Sequence, residues 1–192
     1  MDFVFFTNSI LLGVGLAMDA FSVSMANGLA EPKMKPVRMS LIAGVYGVFQ
    51  ALMPLIGWLA VHTAAEHFKT FQKFIPYIAL VLLCYIGGKM IYEGVKNGGE
   101  EESVKKLTFA VLMVQGVATS IDALSVGFTI ADYDFLRAFV CAVIIATVTF
   151  VICVIGLIIG KKFGTVLANK ASIAGGAILV FIGLEIFIKG II

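Results

Sequence analysis

The sequence predicts an all-α integral membrane protein of six transmembrane helices, arranged as two inverted three-helix repeats. Hydrophobic residues make up 60% of the 192 residues and charged residues only 14%, whereas a soluble domain carries about 25% charged residues. Six apolar stretches each have the length of about 20 residues that a bilayer-spanning helix needs. Two of these stretches also contain an aspartate in closely matching sequence surroundings.

The predicted spans follow one another with short, charged connections. In chain order they cover residues 5–29, 37–61, 74–95, 107–130, 135–160 and 171–192. The segment from Glu31 to Pro36 is predicted to be a turn, because each of its two prolines disfavours helix in the residue before it. The first span is not expected to be a cleaved signal peptide, since no basic residue precedes it and it contains Asp19.

The chain divides into two related halves. Residues 13–23 and 116–126 align without gaps at an offset of 103, with six identities in eleven positions that include Asp19 with Asp122 and Ser22 with Ser125. The same offset pairs Gly57 with Gly160. We therefore expect a first repeat over residues 1–95, a charged cytoplasmic linker over 96–106 and a second repeat over 107–192.

An odd number of spans in each half makes the second half cross the membrane in the opposite direction to the first. Inverted repeats with a site at their midplane interface are a recurrent plan of transporters. The loops predicted on one side carry nine lysine and arginine residues and those on the other side four. Because basic loops stay in the cytoplasm, both termini are predicted to lie outside the plasma membrane.

The two aspartates are the leading candidates for function. An aspartate at the centre of a membrane helix is unfavourable by about 2.5 to 3.5 kcal/mol, so a matched pair indicates a use. Residues three or four apart share a helix face, which gives two polar stripes: Gln115, Thr119, Asp122 and Ser125 in the fourth span, and Asp19 with Ser22 in the first, with Asn27 near its end.

The chemistry of these stripes favours a hard divalent cation. Two neighbouring carboxylates repel each other, and a cation between them removes that repulsion. Oxygen ligands suit magnesium, manganese or calcium. In the second span the amide oxygen of Gln50 is a further candidate ligand, although a neutral hydrogen bond between helices would explain this residue equally well. The candidate metal site therefore comprises Asp19, Asp122, Ser22, Ser125, Thr119 and Gln50.

Other residue patterns exclude several classes of protein. The net charge of +2 and the lack of a basic cluster give no indication of nucleic-acid binding. The cysteines at 84, 141 and 153 have no metal-ligand spacing and are interpreted as packing residues. No nucleotide-binding Gly-x-x-x-x-Gly-Lys-Ser/Thr loop is present, so neither ATP hydrolysis nor a prosthetic group is expected.

Six short motifs are spread along almost the whole chain, at residues 15–21, 50–58, 86–94, 118–127, 160–162 and 175–176. Through these motifs the chain resembles the MntP-type manganese efflux pump family. This resemblance implies export of manganese(II) from the bacterial cytoplasm across the inner membrane, with Asp19 and Asp122 essential.

Several alternatives stay open at this point. Competition between metal and protons for the same carboxylates would make the protein a metal/proton exchanger. The chain could instead export another divalent cation or a small cationic solute. More remote are an intramembrane aspartyl protease, in which two aspartates share a proton, and a purely structural role in assembly. The sequence leaves the oligomeric state open, and a homo-oligomer is compatible with it.

Overall fold

In the computed structural model, residues 2–63, 75–96, 107–167 and 171–191 are described. Within these ranges the chain forms seven helices and no strand. Residues 97–106 of the predicted linker lie outside the described part. The helices are α1 (Phe3–Ala30), α2 (Pro36–Thr63), α3 (Ile75–Lys96), α4 (Phe109–Thr119), α5 (Ile121–Thr129), α6 (Phe135–Leu167) and α7 (Ala171–Ile191).

Several of these helices can cross a membrane. Among the described residues, three helices are long and apolar enough: α1, α2 over Pro36–Val61, and α6 over Phe135–Phe163. The pair α4 and α5 gives a fourth span if the two are counted as one, since they meet at a bend of 44°. The helices α3 and α7, of 22 and 21 residues, lie where the third and sixth spans are predicted. The all-helical membrane class is confirmed, and the count of six spans stays a prediction.

Many large apolar side chains face outward in the described bundle, and a set of polar side chains is buried inside it. Leu11, Val151 and Phe181 are each more than half exposed. Polar side chains inside a membrane protein face the bundle interior or a water-filled cavity, and the buried ones here fit that rule: Ser9, Ser24, Asn27, Gln50, Gln115, Thr119, Ser120 and Thr149. The interior that they occupy is where a site for a polar solute would lie.

One end of the bundle, which we call the terminal end, holds the chain's first residues. There the rings of Phe5 and Tyr133 lie 5.6 Å apart. The indole Nε1 of Trp58 donates a hydrogen bond to the Tyr133 carbonyl at 2.9 Å. The start of α1, the end of α2 and the connection from α5 to α6 therefore meet at this end.

The opposite end, which we call the loop end, holds the connection between α1 and α2. Arg38 donates to the Leu107 carbonyl at 2.9 Å, and the Lys161 ammonium donates to the Met34 carbonyl at 2.9 Å. The chain thus runs from the terminal end to the loop end in α1 and in α6. It runs the other way in α2 and in α4–α5, so α1 and α4–α5 have opposite directions.

Glycines allow two pairs of helices to cross at very short range. A Cβ on Gly28 of α1 would lie 2.8 Å from the backbone nitrogen of Lys161 in α6, and Gly160 makes the reverse close approach to α1. A Cβ on Gly57 of α2 would lie 3.1 Å from the Cα of Gly127 in α5. Small residues permit such contacts between membrane helices. The first predicted span thus packs closely against the fifth, and the fourth predicted span packs closely against the second.

Candidate cation site

Gln50 of α2 joins α1 to α4 through its side-chain amide. Its Nε2 donates to the Leu16 carbonyl at 3.1 Å and to the Thr119 carbonyl at 2.9 Å. The side chain is fully buried, and its Oε1 has no hydrogen-bond partner among the described groups. An unsatisfied buried acceptor is unfavourable by about 1 to 3 kcal/mol. A hydrogen-bond donor or a cation at this oxygen would remove that penalty.

The two carbonyls that Gln50 bridges occupy equivalent places in the two halves. Leu16 and Thr119 are related by the offset of 103 residues, and each comes three residues before an aspartate. Three residues are less than one helical turn. Asp19 therefore lies within one turn of the Leu16 carbonyl, and Asp122 lies within three residues of the Thr119 carbonyl.

The helix directions place the two aspartates on opposite sides of the level of Gln50. In α1 the chain proceeds from Leu16 toward the loop end, and in α5 it proceeds from Thr119 toward the terminal end. The bond from Cα to Cβ in a helix tilts toward the helix N-terminus. For Asp19 this direction leads back toward Leu16, and for Asp122 it leads back toward Thr119. Each aspartate thus lies three residues from a carbonyl that Gln50 binds.

The break between α4 and α5 places Asp122 at a helix N-terminus. A continuous helix would pair the Thr119 carbonyl with the backbone N–H of Ala123. Instead, that N–H donates to Oδ1 of Asp122 at 2.9 Å, and the Thr119 carbonyl accepts a hydrogen bond from Nε2 of Gln50. Asp122 lies in the first turn of α5, where the helix dipole stabilises a negative charge. Sites of this kind, at the ends of discontinuous helices, are typical of transporters.

Hydroxyl groups explain where the helix breaks. The Oγ of Ser120 donates to the Gly116 carbonyl at 2.7 Å and lies 3.1 Å from the Val117 carbonyl. The Oγ1 of Thr119 donates to the Gln115 carbonyl at 2.9 Å. Two successive hydroxyls that bond back to their own helix compete with its backbone pairing and favour a bend. The sequence predicts an unbroken span here, so the bend is a finding of the structure.

The remaining predicted ligands differ in their surroundings. Ser22 is half-buried and donates to the Met18 carbonyl at 3.0 Å, which leaves its oxygen lone pairs as acceptors. Asp19 is half-buried, whereas Asp122 and Ser125 are exposed on the surface of the single chain. The structure brings Gln50 together with the backbone beside both aspartates. That Asp19 and Asp122 share one ion stays a prediction.

A cleft of about 490 Å³ opens between α1 and the end of α5. It lies toward the terminal end of the bundle, and Leu16, the last of its lining residues in α1, comes three positions before Asp19. Its lining residues are Asn8, Leu11, Leu12, Gly15, Leu16, Thr129, Ile130 and Tyr133. The Leu16 residue that binds Gln50 through its carbonyl is therefore also part of the cleft wall.

A second polar cluster, not predicted from the sequence, lies toward the loop end. Its members are Asn27, Tyr46 and Gln115, which are 4%, 0% and 0% exposed. The stripe pattern marks Asn27 and Gln115 individually, but nothing in the sequence pairs them. The only available signal for Tyr46 is its spacing of four residues from Gln50, which puts both on one face of α2.

The acidic and soft ligands of the described residues do not form a ready-made metal cluster. Within the described ranges, no group of three or more His, Cys, Asp or Glu side chains could hold a metal ion. A metal near Gln50 would therefore need neutral oxygens beside the two aspartates. Amide, hydroxyl and backbone oxygens of this kind are ligands that hard cations accept.

These features define a multi-pass helical membrane protein with a polar interior. A family model described as "Mntp: Putative manganese efflux pump" matches residues 32–187. The chain is 41% identical over 186 residues to a "Putative manganese efflux pump MntP" of Ruminiclostridium cellulolyticum, covering 95% of both chains. It is 40% identical to a protein of the same name from Clostridium perfringens strain 13, over 94% of this chain and 92% of that protein. The chain belongs to the MntP family. No solved structure matches it.

Proposed function

We propose that this protein exports manganese(II) from the cytoplasm by secondary transport, through a site between α1, α2 and α4–α5. The observation that carries the proposal is Gln50, whose amide nitrogen bridges the carbonyls of Leu16 and Thr119 while its buried oxygen has no described partner. The names of its relatives supply the metal and the direction of transport. The protein acts as a transporter and not as an enzyme.

Charge balance explains why this site suits a divalent ion. Asp19 and Asp122 together supply two negative charges, which a single Mn²⁺ neutralises. The oxygens of Gln50, Ser22, Ser125 and Thr119 complete its coordination without adding charge. Manganese accepts carboxylate, carbonyl and water oxygens readily. A neutral loaded site avoids the high free energy of a net charge inside the bilayer.

The site lies where two inverted halves meet. The opposite directions of α1 and α4–α5, the equivalent positions of Leu16 and Thr119, and the reciprocal glycine crossings all support this arrangement. The first half covers residues 1–95, the linker 96–106 and the second half 107–192, with six spans in total. The basic loops place the linker in the cytoplasm and both termini outside the inner membrane.

Proton exchange is the proposed driving reaction. Asp19 and Asp122 would release protons when they bind the metal and take them up again after releasing it outside. In vesicles that contain the purified protein, manganese flux should respond to an imposed pH gradient and should generate one when none is imposed. Flux that is independent of pH in both respects would rule out this coupling and would leave the metal site untouched.

The test of the site is manganese tolerance in a bacterial strain that lacks its own exporter. Wild type should restore growth in excess manganese, and Asp19→Asn and Asp122→Asn should each fail to do so. Asp132→Asn is the matched control, since Asp132 is an exposed acid outside the helices. Full tolerance in both Asp19→Asn and Asp122→Asn would refute the proposed site.

The same strain separates manganese from the alternative substrates. Intracellular metal content after exposure to manganese, iron, cadmium and magnesium shows which ion the wild type removes. If wild type lowers the intracellular content of a divalent ion other than manganese, that ion is the transported substrate. A lowered content of a small organic cation, with every metal unchanged, would assign the alternative solute.

A further inference from the structure

We propose that Asn27, Tyr46 and Gln115 form the gate that closes the cation site toward the loop end, and that these side chains must separate before manganese enters from the cytoplasm. This inference rests on the proposed function, because it assigns the moving part of the same transport pathway.

The three side chains are fully hydrogen bonded to one another. Asn27 Nδ2 donates to the Tyr46 hydroxyl at 2.8 Å and to Oε1 of Gln115 at 3.0 Å. The Tyr46 hydroxyl donates to the same Oε1 at 2.8 Å, and Gln115 Nε2 donates to Oδ1 of Asn27 at 3.3 Å. Each member contacts both of the others, so the departure of any one of them breaks at least two of the four hydrogen bonds.

The cluster lies across the route from the site to the loop end. Tyr46 and Gln115 each precede a site residue by one helical turn, namely Gln50 and Thr119. Since α2 and α4 both begin at the loop end, one turn earlier is one turn closer to that end. Asn27 is eight residues beyond Asp19 in α1, which runs toward the loop end. The three helices that form the cation site therefore also close it from this side.

The opposite side of the site carries apolar side chains at two of the equivalent positions. At the offset of 103 residues, Gln115 corresponds to Leu12 and Asn27 corresponds to Ile130. Both Leu12 and Ile130 line the cleft at the terminal end. The loop end thus carries a hydrogen-bonded polar cluster, whereas the terminal end carries packed apolar side chains beside a cleft. A hydrogen-bonded gate therefore has no counterpart at these two positions on the other side.

The chemistry of the cluster suits a gate that opens repeatedly. All three groups are neutral amides or a phenol, so water can replace each hydrogen bond when they separate. Hydrogen bonds of this type between membrane helices are individually weak. A cluster of ion pairs would be harder to separate, because each charge would need to be rehydrated.

Two native cysteines provide reporters for the two sides. Cys153 is 0% exposed and belongs to the same buried cluster of side chains as Tyr46, toward the loop end. Cys141 is also 0% exposed and packs with Phe5 and Ile130 toward the terminal end. Replacing Cys84 and one of these two residues by alanine leaves a single thiol on a known side of the site.

The experiment measures how fast each thiol reacts with a charged, membrane-impermeant methanethiosulfonate reagent, added to membrane vesicles of either orientation. In Tyr46→Phe, which removes two of the hydrogen bonds and keeps the ring, Cys153 should react about tenfold faster from the loop-end face, as expected for the loss of two such bonds. Gln115→Leu should act in the same direction. Cys141 should not react faster. Tyr133→Phe, the same chemical change at the terminal end, should leave Cys153 at its wild-type rate.

Two results would overturn the gate. One is an unchanged Cys153 rate in Tyr46→Phe, which retains the size and ring of the native side chain. The other is an equal rise at Cys141 and Cys153, which would indicate general loosening. The assay contains no manganese. If the gate proposal is wrong, Asp19→Asn should still fail to restore growth in excess manganese. If the cation-site proposal is wrong, Asp19→Asn should be manganese-tolerant, independently of the thiol reaction rates.

Discussion

Replacing Gln50 tests the link between the fold and the cation site at one residue. Gln50→Leu removes both hydrogen bonds from Nε2 and also the unpaired Oε1, at similar side-chain volume. The Leu16 carbonyl lies within the unbroken helix α1 and keeps its helical partner. The Thr119 carbonyl lies at the break between α4 and α5, where the Ala123 N–H is already bonded to Asp122. We therefore expect the effect to be concentrated at the Thr119 end.

The size of the effect follows from two buried hydrogen bonds, at 3.1 and 2.9 Å. Side-chain hydrogen bonds in a membrane protein contribute about 0.6 kcal/mol on average and up to about 1.7, so the two bonds together contribute about 1 to 3 kcal/mol. Removal of the unpaired Oε1 relieves a penalty of about the size that the Thr119 carbonyl incurs when it loses its donor. The free energy of unfolding should therefore fall by about 1 to 3 kcal/mol. For a chain of this size, 1 kcal/mol corresponds to about 2 to 4 °C in Tm. The expected fall in Tm is therefore about 2 to 12 °C in the same scaling.

The assay is a thermal melt of purified protein in detergent, with and without manganese, together with a direct measurement of manganese binding. Loss of the Gln50 oxygen should weaken manganese binding about tenfold to a hundredfold, the range found when groups that support metal sites are removed. Gln50→Glu retains an oxygen ligand but loses the donor to both carbonyls. Its Tm should fall without metal and recover when manganese is added, whereas the Tm of Gln50→Leu should not recover.

One control variant and two possible results test the assigned roles of the Gln50 side chain. Thr147→Val is the control, because Thr147 is exposed and its hydroxyl donates to the Val143 carbonyl of its own helix. This variant should bind manganese like wild type. Wild-type manganese binding by Gln50→Leu would show that Oε1 is not a ligand. A wild-type Tm in that variant would show that the amide bridge does not hold α1 to α4.

Two further changes test the packing that positions the site. Gly57→Ala should lower the free energy of unfolding by about 1 to 3 kcal/mol, because the added methyl group would overlap the backbone of α5. Gly44→Ala has open space around it and should raise the free energy of unfolding by up to about 1 kcal/mol. Equal Tm values for the two variants would contradict this packing. Arg38→Gln should cost about 1 to 2 kcal/mol through the lost bond to Leu107. Arg137→Gln, at an exposed ion pair, should change stability by less than about 1 kcal/mol, and the same melts compare the two.

The helices and the positions of the acidic residues could be read from the sequence. The first predicted span, 5–29, corresponds to α1 at Phe3–Ala30, and the fifth, 135–160, begins where α6 begins. Hydrophobic length is a local property, because each membrane helix satisfies its own backbone. The repeat that aligns Asp19 with Asp122 is likewise visible in the chain itself.

The break at Ser120 could not be read in the same way. Serine and threonine hydroxyls bond back to many helices without interrupting them, so Thr119 and Ser120 alone predict a mild bend. The break also needs a partner for the Thr119 carbonyl, and that partner is Gln50, which is 69 residues away. Only packing of α2 against α4 brings the two together.

The sequence therefore determined the composition of this protein, its membrane-spanning helices and the two matched aspartates, because hydropathy and repetition are written along the chain. The tertiary structure decided which polar atoms meet. The Nε2 of Gln50 donates to carbonyls of two helices, and its Oε1 has no partner among the described groups. Asn27 donates to Tyr46 and to Gln115, which are 19 and 88 residues away in the chain. Hydrogen bonds are short and directional, so their partners depend on where the helices cross, and the side-chain pattern of each helix does not specify those crossings.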